Sequence, residues 1–316
     1  MPDIACIGIA TVDLIGQPID SWPHTGQLQV FDHLTMATGG CSVNCAFALA
    51  KMGLSASLFV KTGADSLGDF VISEAKRLGI STDGIVRDPS THTAFTMVCV
   101  NSSGERTFLH TFGANATLTA DDIRLDLLEG HKIAYIGGAM LMPTFDGEQT
   151  AGLLKKIREM GITTVLDTAH NDRVKDWYAV IAPCLPHLNF FIPSDKEATQ
   201  FAGGIEDPAE LARFFRDNGA KNVVIKMGDK GSYLLAEDGQ TAFAPVYPVE
   251  NVVDTTGAGD TWGAGFLAGL NLNMDLPEAM KLGNATAAHC IQAAGAATGI
   301  KSLADIQRFQ QQAPRG

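Results

Sequence analysis

Apolar residues first cluster in IACIGIA, residues 4–10, a run that reads as a buried strand. QLQVFDHLTM, residues 27–36, alternates imperfectly, with Val30, Leu34 and Met36 on one face. SLFVK is a further strand, and AFTMVCV and RTFLHT flank NSSGE, a hairpin turn signal. Between these, the pattern predicts helices over 42–52 and 69–78, the second stopped by Gly79. From about residue 119 the rhythm changes. TADDIRLDLL opens on a capping Thr119, and KIAYIGG, TTVLD, LNFFIPS and NVVIKMG alternate with helical stretches near 147–160, 195–202 and 207–218. Two more helices are expected at about 260–270 and 277–294. Strand–helix alternation predicts an α/β chain, with a doubly wound, mostly parallel sheet and helices on both faces. The segments about 12–37 and 90–112 are too antiparallel for that sheet. They are expected to form a small β-strand lid on a single domain over 1–316, in preference to edge strands of the main sheet.

Composition narrows the function classes. The 316 residues are 46% hydrophobic and 18% charged, enough for a large core without staples. A net charge of -12 with no basic run argues against nucleic acid or an anionic membrane as partner. No apolar run reaches the ~18 residues of a membrane span. The six cysteines, Cys6, Cys41, Cys45, Cys99, Cys184 and Cys290, show neither CxxC pairs nor zinc spacing. With no secretory signal they read as reduced thiols of a cytoplasmic protein, Cys41 and Cys45 being neighbours on one helix face.

The chemistry gathers in VVDTTGAGDTWGAGF, residues 252–266. Gly257 and Gly259 permit backbone conformations and close ligand approach that a Cβ would forbid. The helix that follows presents unpaired N–H groups and the positive end of its dipole, an anion hole with Asp260 in its first turn. Asp260 is either a helix cap or a base taking a proton from an attacking hydroxyl. A second glycine stretch, ATGGCSVNCAFALAKMG, sets Gly39 and Gly40 ahead of a helix carrying Asn44, and KTGADSLG follows with Gly63, Asp65 and Gly68. An exposed backbone beside an amide suits hydroxyl recognition; a plain strand-to-helix turn is the alternative.

These two stretches, in this order and separation, resemble the ribokinase-like carbohydrate kinase family. One signature runs from Gly39 to Gly68, the other from Asp254 to Asp260. The resemblance implies an ATP- and Mg²⁺-dependent kinase acting on a hydroxymethyl group of a small sugar. It implies Asp260 as general base, and the N–H groups of Gly257, Ala258 and Gly259 as the hole for the transferring phosphoryl group. It implies Asp13, Gly39, Gly40 and Asn44 on the sugar, and Lys226, Gly228, Gly231 and Asn284 on the nucleotide. Glu197 matches the acid of an Asn-x-x-Glu motif that organises Mg²⁺ through water, with Ser194 in place of the Asn. Asp254 and the Thr256 carbonyl match a loop that holds a monovalent cation such as K⁺. No GxxxxGK[ST] loop is present, so the anion hole and Mg²⁺ must supply what a P-loop lysine would.

Rival readings are a nucleoside kinase of the same fold and a non-catalytic sugar-binding regulator. A dehydrogenase fits poorly, since only Gly8 and Gly16 follow the first strand where GxGxxG would stand. Residues 1–50 contain no Lys or Arg but carry Asp13, Asp20 and Asp32, which favours a neutral sugar over an anionic one. An exposed lid edge invites pairing with a second lid, so a homodimer is expected. Arg106, His92 and His110 fall on or near the lid, and Asp167 ends a strand with no chemistry assigned.

Overall fold

The computed structural model describes residues 2–312; residues 1 and 313–316 of the expected domain lie outside the described residues. Ile4 and Cys6 are fully buried in the apolar layer on one side of a sheet, and Ala5 and Ile7 in the layer on the other. A strand covered on both faces needs apolar residues at every position, which explains the unbroken run of the first strand. Each buried isoleucine contributes roughly 1.5–3 kcal/mol.

That strand, Ile4–Gly8, belongs to a nine-stranded sheet. From edge to edge the strands are Thr241–Ala244, Ser232–Leu235, Asn222–Lys226, Phe190–Phe191, Thr163–Thr168, Ile133–Ala139, Ile4–Gly8, Ala56–Gly63 and Val86–Asp88. All neighbours run parallel except the two pairs made by Ser232–Leu235. Helices Cys41–Lys51, Ala258–Asn271 and Leu276–Cys290 cover one face; Glu148–Glu159 and Pro208–Asp217 cover the other. The first strand sits between Ala56–Gly63 and Ile133–Ala139, where the order of connection reverses. Such a switch point leaves a crevice at the carboxyl ends of the strands. Ser42 donates to the Ile7 carbonyl at 2.6 Å and pins the start of helix Cys41–Lys51 there.

The segments expected to form a lid build a separate four-stranded sheet, in the order His33–Gly39, Thr11–Gln17, Phe95–Val100, Arg106–Thr111. Two antiparallel hairpins meet in it through one parallel pair.

Several boundaries differ from expectation. The strand expected from residue 27 begins only at His33, because its partner ends at Gln17, directly opposite His33. Val30 has no strand to pair with and is 73% exposed. The helix expected from residue 69 starts at Ser66, since Asp65 caps it by accepting the Gly68 N–H at 2.9 Å. After Thr119 the chain makes two short 3-10 turns, Ala120–Asp122 and Leu125–Leu128. Asp122 closes a capping box with Thr119 and is held by Lys61 at 3.1 Å. The last large helix stops at Cys290, four residues short, and Gly295 beyond it turns its N–H onto Asp254 at 2.8 Å.

Candidate active site

Helix Ala258–Asn271 begins at Gly257, which is left-handed at φ 76°. A Cβ there would also lie 2.5 Å from that of Ala296, so glycine is required twice over. Gly259 differs from expectation: its φ is not left-handed, and a Cβ on it would meet only Lys226 Nζ, at 3.6 Å. Its smallness keeps space open rather than permitting a backbone shape. Ala258 also differs, because its N–H already donates to the Thr255 carbonyl at 3.2 Å. Among the described residues the N–H groups of Gly257, Gly259 and Asp260 have no partner, so the positive end of the helix is open at these three.

Asp260 stands in this first turn without capping the helix. Burial raises its pKa above the usual aspartate value, partly offset by hydrogen bonds from Asn44 and Cys41 and by the nearby Lys226. Asn44 Nδ2 donates to Asp260 Oδ2 at 2.7 Å. Asn44 was expected on the substrate; its amide nitrogen is taken up by Asp260.

The residues expected on the sugar include Asp13, which lies on the four-stranded sheet. Ala37, Asp13, Thr96 and His110 lie side by side across its four strands and therefore share a face. Burial raises the Asp13 pKa and a Thr96 hydrogen bond lowers it; Thr96 Oγ1 lies 3.1 Å from His110 Nδ1. Gly39 leaves room for Asp13: a Cβ there would sit 2.8 Å from Asp13 Oδ2. A Cβ on Gly40 would lie 2.6 Å from the Ile9 carbonyl, which brings the helix start against the first strand.

On the other side of Asp260 opens a cavity of about 610 Å³. Its apolar wall includes Val246, Tyr247, Val252, Trp262 and Ile291; its polar end holds Asp167, Glu197, Lys226 and Asp260; Gly228 and Gly231 line it too. Lys226 Nζ bonds both Asp167 oxygens, at 2.7 and 2.6 Å. Burial opposes the Lys226 ammonium, but Asp167, Glu197 and Asp260 outweigh it and raise its pKa. Burial pushes Asp167 up to about 6 against the pull of Lys226. Glu197 Oε2 accepts from Ser194 N (3.0 Å), Ser194 Oγ (2.7 Å) and Thr168 Oγ1 (3.0 Å). Ser194 lines the cavity, and its hydroxyl is engaged in a capping box. Asn284 is on the cavity wall but has no function to spare. Its Oδ1 accepts from Trp262 Nε1 at 2.6 Å and Ser232 Oγ at 3.2 Å, and its Nδ2 donates to the Ala244 and Pro245 carbonyls, both at 2.9 Å. A buried amide is satisfied this way when it ties a wall together.

Asp254 was expected to face a cation. Its Oδ1 is 2.8 Å from Arg106 Nη1, at the start of the strand Arg106–Thr111.

The sequence profile of the pfkB family carbohydrate kinases matches residues 1–303. The chain belongs to that family. It is an ATP-dependent carbohydrate kinase. Among pfkB relatives, a 5-dehydro-2-deoxygluconokinase of Geobacillus kaustophilus is 28% identical over 292 residues, 89% of this chain and 87% of the relative. A ribokinase of Staphylococcus aureus is 27% identical over 277 residues, 85% of this chain and 87% of the relative. The fold also matches the ribokinase of Arabidopsis thaliana, solved with ribose and ATP, at a TM-score of 0.86 and 22% identity, covering 98% of this chain and 99% of that one.

The sequence singled out neither Thr96 nor any chemistry for Asp167, and it set Arg106 on the lid without its partner. Asp167 carried a signal, an acid at the carboxyl end of a strand in an α/β pattern. Thr96 becomes visible only through register, and Arg106 only through its contact with Asp254. Among the described residues no helix is long and apolar enough to cross a membrane.

Proposed function

We propose that the chain transfers the γ-phosphate of ATP to a hydroxymethyl group of a small neutral sugar. Asp260 acts as general base and the N–H groups of Gly257, Gly259 and Asp260 receive the transferring phosphoryl charge. The carrying observation is the junction at Asp260, where unpartnered helix N–H groups adjoin a carboxylate whose pKa is raised by burial. A raised pKa makes a stronger base, and the positive helix end favours the anion that forms.

The nucleotide belongs in the cavity, with its base against the apolar wall and its phosphates toward Lys226 and the hole. Three carboxylates, Asp167, Glu197 and Asp260, face one ammonium there, so a polyphosphate needs a cation arriving with it. Among the described residues no group of three or more His, Cys, Asp or Glu is placed to hold a metal. Mg²⁺ keeps several waters and takes phosphate oxygens, so Glu197 and Asp167 would hold it through water. When bound, Mg²⁺ offsets charge on the phosphates.

Support for a neutral acceptor comes from three cations that are already committed. Lys61 pairs with Asp122 at 3.1 Å, Arg87 with Asp69 at 2.7 Å and Arg106 with Asp254 at 2.8 Å. An acceptor phosphate or carboxylate would have to displace one of these pairs or turn to Arg173, whose guanidinium lies 5.7 Å over the Phe112 ring and near enough to His110 that burial and this charge together lower its pKa. A cytoplasmic setting suits six unpaired cysteines. The outer strands of the four-stranded sheet expose Leu34, Met36, Phe108 and Leu109, and a second copy of that sheet is the partner we assign to them, to be checked by light scattering.

The test is an ADP-release assay over ribose, fructose and similar neutral sugars, nucleosides, fructose 6-phosphate and 2-keto-3-deoxygluconate. The neutral sugars should lead in kcat/KM. A roughly tenfold preference for an anionic acceptor overturns the neutral assignment, and a nucleoside preference moves the reading to nucleoside kinase. Sugar binding without ADP release would mark a non-catalytic regulator.

A further inference from the structure

The loop ahead of the anion hole carries a buried carboxylate whose charge is met from the other sheet. Arg106 Nη1 donates to Asp254 Oδ1 at 2.8 Å and to Thr256 Oγ1 at 3.0 Å. The Asp254 side chain is only 5% exposed. Its Oδ1 also accepts the Thr256 N–H at 3.0 Å, and its Oδ2 the Gly295 N–H at 2.8 Å. Thr256 directly precedes Gly257, so these contacts set the loop that delivers the hole.

A monovalent cation on this loop would need the Asp254 oxygens and their charge. Both oxygens are engaged, and a guanidinium already supplies the positive charge. A second cation here would meet an Oδ1 already holding two donors and the repulsion of the Arg106 guanidinium. We infer that Arg106 takes the place of a monovalent cation on Asp254, and so makes the set of the anion hole depend on docking of the four-stranded sheet against the core.

The physical reason is the cost of an unpaired buried charge. With the sheet displaced, Asp254 keeps its two backbone donors but loses its counter-charge, and the loop from Asp254 to Gly257 relaxes. With the sheet docked, Arg106 holds both the carboxylate and the Thr256 side chain. The hole lies at the start of helix Ala258–Asn271, packed on the nine-stranded sheet, whereas the four-stranded sheet carries Asp13 and Thr96 along with Arg106. Acceptor binding and hole formation are thereby coupled through one side chain. Arg106 is a positioning residue, since it acts through Asp254.

This inference rests on the proposed anion hole, and the test separates the two. Melting temperature and phosphorylation rate are compared in KCl and in tetramethylammonium chloride at equal ionic strength. The wild type should melt alike and turn over within about twofold in the two salts. Arg106→Ala should lose roughly 10–100-fold in kcat in tetramethylammonium. K⁺ or added guanidinium ion should recover a large part of that loss, and K⁺ should raise the melting temperature of this variant alone. Arg106→Lys, which keeps a charge but not the fork, serves if the alanine variant does not fold; it should be slower yet still indifferent to K⁺. A wild type that K⁺ stabilises or activates severalfold overturns the inference, as does an Arg106→Ala enzyme at wild-type rate in both salts. Absence of turnover with every acceptor would instead sink the kinase reading, while the melting comparison would still decide whether Asp254 takes a cation.

Discussion

Asn44 donates a 2.7 Å hydrogen bond to Asp260 from a helix 216 residues away in sequence. The bond orients the carboxylate and favours its ionised form. Asn44→Ala should therefore raise the Asp260 pKa, because the hydrogen bond that lowers it is lost while burial remains. We expect kcat to fall roughly 10–100-fold and the acid limb of the kcat/KM profile to move to higher pH. An unmoved acid limb would mean the bond is structural only.

Asp260→Asn keeps the size of the side chain and removes its basicity. A drop in kcat of about 10²–10⁴-fold with little change in ATP affinity is the expected outcome. A folded variant keeping more than about a tenth of the wild-type rate would refute the base assignment.

Gly257 and Gly259 should fail differently. Gly257→Ala forces a Cβ into a left-handed residue and against Ala296, so stability should fall along with activity. Gly259→Val places its side chain toward Lys226 in the open cavity, so activity should collapse with the melting temperature nearly unchanged. Thermal denaturation beside steady-state kinetics distinguishes the two; parallel losses in both variants would contradict the open-space role of Gly259.

Stability should depend on pH through Asp146. It accepts the Met140 N–H at 3.1 Å and the Met142 N–H at 2.9 Å, and burial pushes its pKa up to about 7. Unfolded, the same carboxyl titrates near ~3.9. The native state thus holds a proton that the unfolded chain has released, so this contribution to stability is full at low pH and is lost between about pH 4 and 7. Asp167, raised to about 6, has the same sign. Urea midpoints across this window should decline with pH in the wild type and decline less in Asp146→Asn; equal slopes would exclude Asp146 as the source.

Much of the fold was legible because its signals are local. The run IACIGIA, the turn NSSGE and the cap at Thr119 act within a few residues, and each formed close to where the pattern placed it. Boundaries slipped where a distant partner decided them, as at His33, whose strand could begin only opposite Gln17.

The sequence by itself determined the α/β alternation, the separate antiparallel segments and the glycine turn that leads into Asp260. Periodicity, capping and positive-φ glycine operate over one or two turns of chain, so the local string contains their causes. Tertiary structure alone decided which charges meet. Asp167 finds Lys226 across 59 residues, Arg106 finds Asp254 across 148, and Asn44 finds Asp260 across 216. Electrostatic and hydrogen-bond energies depend on distances of a few ångströms and on the water excluded around them. Neither quantity exists until the two sheets and their helices have packed, which is why Asn44, Asn284 and Asp254 carry other partners than the linear pattern suggested.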